Sequence, residues 1–217
     1  MIQLSDAILS LVLLSVLLSL SSNRLMGLVR IMAFQGVLVS LVPLFLDQHQ
    51  GIGAGSILFL QIMILIKGIL IPGFMYIAVN KVKIRTEVEP FVGYNASLFT
   101  GLAFIVISAY ITEQLNISLP GGHALLLITA ITTMASGLFL LMARRKAITQ
   151  VIGYLMMENG IYLVGAALAK ESHNQYVVEF GVLLDLLVGV MIMGIVLHNI
   201  NSAFDDVDTA LLGRLKD

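Results

Sequence analysis

Cysteine is missing from this 217-residue chain, and with it go disulfides, thiolate zinc sites and ordinary iron–sulfur clusters, all of which need sulfur ligands. Any metal redox chemistry must sit on another polypeptide. Histidine is scarce too: His49, His123, His173 and His198 fall between or at the ends of the apolar runs, so a haem held by two histidines at depth is not expected. Charge is thin, at 12% of residues against about a quarter in soluble domains. The net charge of −1 comes without a long run of one sign, which removes the clustered Lys and Arg of a nucleic-acid surface. Met1 to Asp6 hold no Lys or Arg, and no small-residue cleavage pattern follows the apolar run Ala7 to Leu20. That run reads as a retained helix, not as a signal peptide.

What fills the chain is hydrocarbon: 59% of residues are apolar and the mean hydropathy is +1.00, so the solvent is a bilayer. A helix needs roughly 20 apolar residues to cross a hydrocarbon core about 30 Å thick. Cutting at polar and Gly/Pro clusters gives seven such runs, near 4–22, 26–46, 56–79, 97–114, 122–143, 147–169 and 177–199. The fold expected is an all-α polytopic membrane bundle of about seven transmembrane helices. Its organisation is a three-helix unit over 1–80, a loop over 81–96, a four-helix unit over 97–200 and a tail over 201–217. With the N-terminus outside, one side of the membrane receives Arg24, then Lys81, Lys83 and Arg85, then Arg144, Arg145 and Lys146, then Arg214 and Lys216, while the other receives Lys170. Lys and Arg concentrate in cytoplasmic loops, so this asymmetry predicts a cytoplasmic C-terminus in a cell inner membrane. The tail from Phe204 to Asp217 places Val207, Leu211, Leu212 and Leu215 near one helical face, suited to a headgroup layer or a partner protein.

Setting aside loops and the ends of the runs leaves four ionisable residues within them: Arg30, Lys67, Glu158 and Asp185. A charge near the centre of a membrane helix costs about 2.5–3.5 kcal/mol on insertion scales, and such residues usually face a bundle interior and mark ion or proton paths. With a rise of 1.5 Å per residue, Lys67 and Glu158 each lie about 16 Å in from the outer ends of their helices, and Asp185 about 12 Å. A shared depth permits a row of titratable groups parallel to the membrane. Arg30, about four residues from the cytoplasmic end of its helix, can snorkel to the headgroups and reads first as an anchor. Lys67 has no acid in its own helix, so its partner should be an acid on another helix or subunit.

The plainer reading of these charges is an ion pair that fixes helix packing. At 4 Å and an effective dielectric of 20 the attraction is about 4 kcal/mol, which barely offsets the desolvation of two ions. Packing alone is therefore a poor reason to keep them, and conduction is favoured. Pro72 and Gly73 follow Lys67 by about a turn and predict a kink there. Gln35, Gly36 and Gln61 are further polar or small steps, equally explained as helix contacts. A weak internal likeness sets Arg24 and Gln35-Gly36 beside Arg145 and Asn159-Gly160, with Lys67 corresponding to Asp185.

Three stretches carry a resemblance: Arg144-Arg145-Lys146, QVIGYLMMENGIYLVGAALA (Gln150 to Ala169) and VEFGVLLDLLVGVMIMGIV (Val178 to Val196). Together they resemble the hydrogenase-4 component E family (HyfE-like). The last three helices also resemble the small complex I subunit NuoK and its antiporter relative MrpC. The likeness rests on Gly153-Tyr154, on Met157-Glu158-Asn159-Gly160, on Asp185 with Gly189 four residues later, on the Lys67–Pro72 segment and on the tail. In the fourth and fifth helices only hydrophobicity agrees.

The resemblance implies a non-catalytic membrane subunit of a group 4 hydrogenase or complex I-like respiratory assembly. It would carry part of a midplane proton pathway beside antiporter-like subunits. Iron–sulfur clusters and a nickel–iron centre would sit on a peripheral arm, and this chain would hold no cofactor. Lys67, Glu158 and Asp185 are then the proton carriers, with Arg30, Gln35, Tyr154 and Asn159 in a second rank. Asp185 stands where the second buried glutamate of NuoK-like subunits would be. Leu155 occupies the place of the first, and Glu158 lies one turn further on the same face. The competing readings are a subunit of a Na⁺/H⁺ antiporter without redox chemistry and a structural membrane anchor.

Overall fold

The computed structural model describes residues 4–46, 54–81, 91–115 and 124–168, together with 189 and 194. All the regular structure among them is helical. It comprises α1 (Leu4–Ser21), α2 (Leu25–Leu46), α3 (Ala54–Leu65), a π-helical turn (Ile66–Leu70), α4 (Ile71–Lys81), α5 (Tyr94–Leu115), α6 (Ala124–Ala143) and α7 (Ala147–Leu168). α3, the π turn and α4 form one continuous rod. Five helices are long and apolar enough to cross a membrane: α1, α2, the rod over Leu60–Val79, α5 and α6. The chain is thus a multi-pass helical membrane protein. α7 has the length, 22 residues, but carries Gln150, Glu158 and Asn159. The seventh run expected at 177–199 and the tail lie outside the described residues. Where the two can be compared, helix ends fall within three residues of the sequence expectation.

Short connections and caps gather the helix ends. Ser22–Arg24 turns α1 into α2, and Arg144–Lys146 turns α6 into α7. Arg144 joins these turns: its guanidinium donates to the Leu20 carbonyl at 3.0 Å and to the Val92 carbonyl at 3.3 Å, satisfying a terminal carbonyl of α1 that has no partner within its own helix. The Phe91 N–H donates to the Ala143 carbonyl at 2.8 Å, which tethers the start of α5 to the end of α6. Arg24, Lys81, Arg144, Arg145 and Lys146 therefore share one end of the bundle, while Asp6 and Glu113 lie toward the other.

α6 and α7 form the tightest pair. A Cβ on Gly137 would stand 2.3 Å from the Met157 nitrogen, and one on Gly160 would stand 2.4 Å from the Met134 nitrogen. Only glycine lets the two backbones approach so closely. These contacts run antiparallel, so α7 returns along the whole of α6.

The core divides into two apolar clusters. The one at the basic end includes Leu20, Leu28, Met32, Met75, Leu140 and Met156; the far one includes Leu9, Val39, Met63, Leu127, Tyr162 and Leu163. Between them α1, α2, the α3–α4 rod, α6 and α7 each contribute a polar or glycine position: Ser15, Gln35 and Gly36, Lys67, residues within Thr132 to Gly137, and Glu158 to Gly160. The hydroxyls at this level mostly bond their own helix, as Ser15 does to the Val12 carbonyl at 2.6 Å and Thr133 to Thr129 at 2.6 Å, the usual way for Ser and Thr to stay buried in a helix. Among the described hydroxyls, one bond links helices: Ser108 Oγ to Thr132 Oγ1 at 2.6 Å.

Candidate functional site

Lys67 sits in the polar level with 5% of its surface exposed. The structure supplies the acid that its own helix lacks: the ammonium donates to Glu158 Oε1 of α7. It also donates to Asn159 Oδ1 at 3.2 Å and lies 5.6 Å from the centre of the Tyr162 ring. α7 thus offers Lys67 a carboxylate, an amide oxygen and an aromatic face within little more than one turn. Glu158 and Asn159 are 1% and 3% exposed, so the group is closed to the outer surface of the bundle.

The local backbone explains why Lys67 reaches this position. Pro72 lacks the N–H that would bond the Gly68 carbonyl, and its ring crowds that carbonyl. The sequence predicted a kink at Pro72 and Gly73; just ahead of Pro72 the backbone widens into a π turn. There the Ile71 N–H bonds the Ile66 carbonyl in a π turn that contains Lys67, a type of bulge common at functional sites. On the facing helix, a Cβ at Gly36 would stand 3.0 Å from both Lys67 Cβ and the Lys67 carbonyl oxygen. Glycine at 36 lets the two helices meet at the lysine.

The remaining sequence candidates separate by place. Gln35 is fully buried, and its amide has no hydrogen-bond partner at either Nε2 or Oε1 among the described residues. Leu155 and Glu158, one turn apart on α7, line one cavity with Lys67 and Asn159. Tyr154 is half-buried against the basic-end cluster. Arg30 and Gln61 are exposed on the outside of the bundle, away from the pair. Asp185 lies outside the described residues, as do the four histidines.

Sequence reasoning passed over Arg144 and Tyr162. Arg144 was counted as one of three loop charges, yet it is fully buried and clamps α1 to the segment ahead of α5. It lies 5.2 Å from the Tyr94 ring; burial lowers its pKa and Tyr94 acts in the opposite direction. Nothing in the tripeptide Arg144-Arg145-Lys146 singles it out. Tyr162 could have been found, because it follows Glu158 by four residues and so shares its face.

Among the described residues no group of three or more His, Cys, Asp or Glu could hold a metal ion. What the arrangement can do is hold one proton between a lysine and a carboxylate inside an apolar bundle.

Over 197 residues the chain is 26% identical to an uncharacterized protein of Mycobacterium tuberculosis, covering 89% of this chain and 87% of that one. It is 24% identical over 150 residues to the hydrogenase-4 component E of Escherichia coli K12, covering 69% of this chain and 68% of that protein. The same figures hold for the hydrogenase-4 component E of Shigella flexneri. No protein-family model and no solved structure matches. Distant homology to hydrogenase-4 component E thus extends over 69% of the chain.

Proposed function

We propose that this chain is a membrane subunit of a group 4 hydrogenase or complex I-like respiratory assembly, in which Lys67, Glu158 and Asp185 carry part of a proton path parallel to the membrane. The observation that carries this reading is the buried Lys67–Glu158 pair, set between two apolar clusters with Asn159 beside it. Two buried charges that together gain little stability make sense as groups between which a proton moves. The homology to hydrogenase-4 component E supports the setting.

The chain couples and does not catalyse. Iron–sulfur and nickel–iron centres belong to partner subunits, and antiporter-like subunits continue the path. On the resemblance of the stretch Val178 to Val196 to NuoK-like subunits, Asp185 is the next carrier beyond Glu158. The positive-inside rule puts the basic end of the bundle in the cytoplasm of an inner membrane.

The test is made in inverted vesicles containing the assembled complex. Glu158→Gln and Asp185→Asn should keep electron transfer to an artificial acceptor and lose most of the redox-driven acidification. Undiminished acidification in both variants refutes the proposal. Identification of the subunits that co-purify in mild detergent separates a redox assembly from a Na⁺/H⁺ antiporter: hydrogenase or quinone-reductase subunits are expected.

A further inference from the structure

Three chain segments meet at one corner of the basic end. Arg144 ties the end of α1 and the segment ahead of α5 to the α6–α7 turn through the Leu20 and Val92 carbonyls, and the Phe91 N–H closes on the Ala143 carbonyl. On the outside of this corner the Arg145 guanidinium lies 4.4 Å from the centre of the Phe91 ring, and both residues are exposed. Arg24 is exposed on the turn that follows α1. α5 begins at Tyr94 and α6 ends at Ala143, and both are long and apolar enough to cross the membrane. Phe91 and Arg145 therefore stand just beyond the hydrocarbon, at headgroup depth.

The corner gathers positive charge without an acid. The described carboxylates are Asp6 and Glu113 toward the far end and Glu158 at mid-depth, and among the described residues neither Arg24 nor Arg145 forms an ion pair. Lying over a ring uses the face of the Arg145 guanidinium and leaves the N–H groups along its edge available, the fork that matches a phosphate. Behind it Arg144 is fully buried among neutral groups, two carbonyls and the Tyr94 ring, and its Nε has no hydrogen-bond partner among the described residues. A buried cation ordinarily has a counter-charge, and the anions abundant at this depth are lipid phosphates.

The apolar half of such a ligand also has a surface to lie on. The buried positions of α5 are Ser97, Gly101, Ser108 and Thr112, so it turns its large side chains outward: Phe99, Val106 and Tyr110 are 71%, 69% and 63% exposed.

We propose that this corner is a seat for an acidic phospholipid, whose phosphate lies on the free edge of Arg145 within the field of Arg24 and Arg144 and whose chains follow the outer face of α5. Phe91 holds the guanidinium flat at the membrane surface, and the negative headgroup supplies the counter-charge that the protein leaves out. Lipid preference is read without turnover, so the seat stands or falls separately from the proton path.

Native mass spectrometry of the delipidated full-length protein in mild detergent tests it, with phosphatidylglycerol and phosphatidylcholine of identical chains offered in equal amounts. The first lipid bound should be phosphatidylglycerol, favoured several-fold, and Arg145→Gln should abolish most of that preference. Arg145 is exposed, so its replacement does not threaten the fold. Arg30→Gln removes an exposed arginine from the outside of α2 and should leave the preference intact. Equal losses in the two variants would mean diffuse attraction to basic side chains and overturn the seat, as would the absence of any headgroup preference in the parent. Displacement of the lipid by millimolar inorganic phosphate would make the corner a site for a soluble anion and overturn it too.

Discussion

Replacing both members of the Lys67–Glu158 pair separates its structural contribution from its functional one. In Glu158→Leu the ammonium of Lys67 loses its carboxylate and retains the neutral Asn159 oxygen at 3.2 Å and the Tyr162 ring at 5.6 Å, inside a site that is nearly closed. Removing one partner of a buried pair typically costs about 3–5 kcal/mol, because the other charge is left uncompensated. Lys67→Met should cost a similar amount, leaving the Glu158 carboxylate without its cation. In the double variant neither charge of the pair remains, and hydrophobic replacement of a buried pair is often neutral or stabilising by about 1–4 kcal/mol. The expected pattern is two destabilised single variants and a double variant at least as stable as the parent, read as thermal midpoints of detergent-purified protein. The same membranes are assayed for redox-driven acidification. If the pair moves protons, the double variant assembles, transfers electrons and does not acidify. Strictly additive losses would refute the reasoning about the pair's energetics. Full acidification by the double variant would reduce the pair to a packing device.

Gly137→Ala should destabilise by about 1–3 kcal/mol or more, because its Cβ meets Met157 backbone at 2.3 Å. Gly101→Ala should be tolerated in the same thermal assay, since the obstacle at 2.4 Å is the end of the flexible Leu20 side chain. Arg144→Lys should cost about 1–3 kcal/mol, because the Val92 and Leu20 carbonyls are met by two separate terminal nitrogens of the guanidinium fork, which one ammonium nitrogen does not reproduce; an unchanged midpoint would show that the clamp contributes little. Gly36→Ala places a Cβ 3.0 Å from the Lys67 backbone and side chain, so it should reduce acidification while electron transfer persists, and unaltered acidification would count against close approach at the lysine.

Much of this bundle can be read from hydropathy alone, since the length of an apolar run is set by the bilayer and barely by tertiary contacts. Counting residues from the helix ends also brought Lys67 and Glu158 to one depth. It could not say which way either side chain faced, nor that the neighbouring Asn159 would be a direct partner. The kink expected at Pro72 shows a different limit. A proline removes one hydrogen bond, but whether the helix bends or widens is decided by its neighbours. Here Gly36 leaves room for a π turn that pushes Lys67 inward. Arg144 and Arg145 are alike as letters. Only the docking of α1 and α5 against the end of α6 buries the first and leaves the second stacked 4.4 Å over the Phe91 ring.

The helix that bears the chemistry carries polar side chains that lipid cannot satisfy. α7, at 22 residues against 20 for α6, carries Gln150, Glu158 and Asn159. Its polar groups are met by other elements: Gln150 donates to the Arg144 carbonyl at 3.1 Å, and Glu158 and Asn159 receive Lys67. Gly137 and Gly160 bring its backbone against that of α6, where close packing takes the place of the hydrophobic drive that lipid cannot supply. The same contacts that make α7 tolerable at depth fix the height and facing of Glu158. Helix stability and placement of the carboxylate are therefore one problem, and substitutions along the α6 seam should disturb the site without touching it.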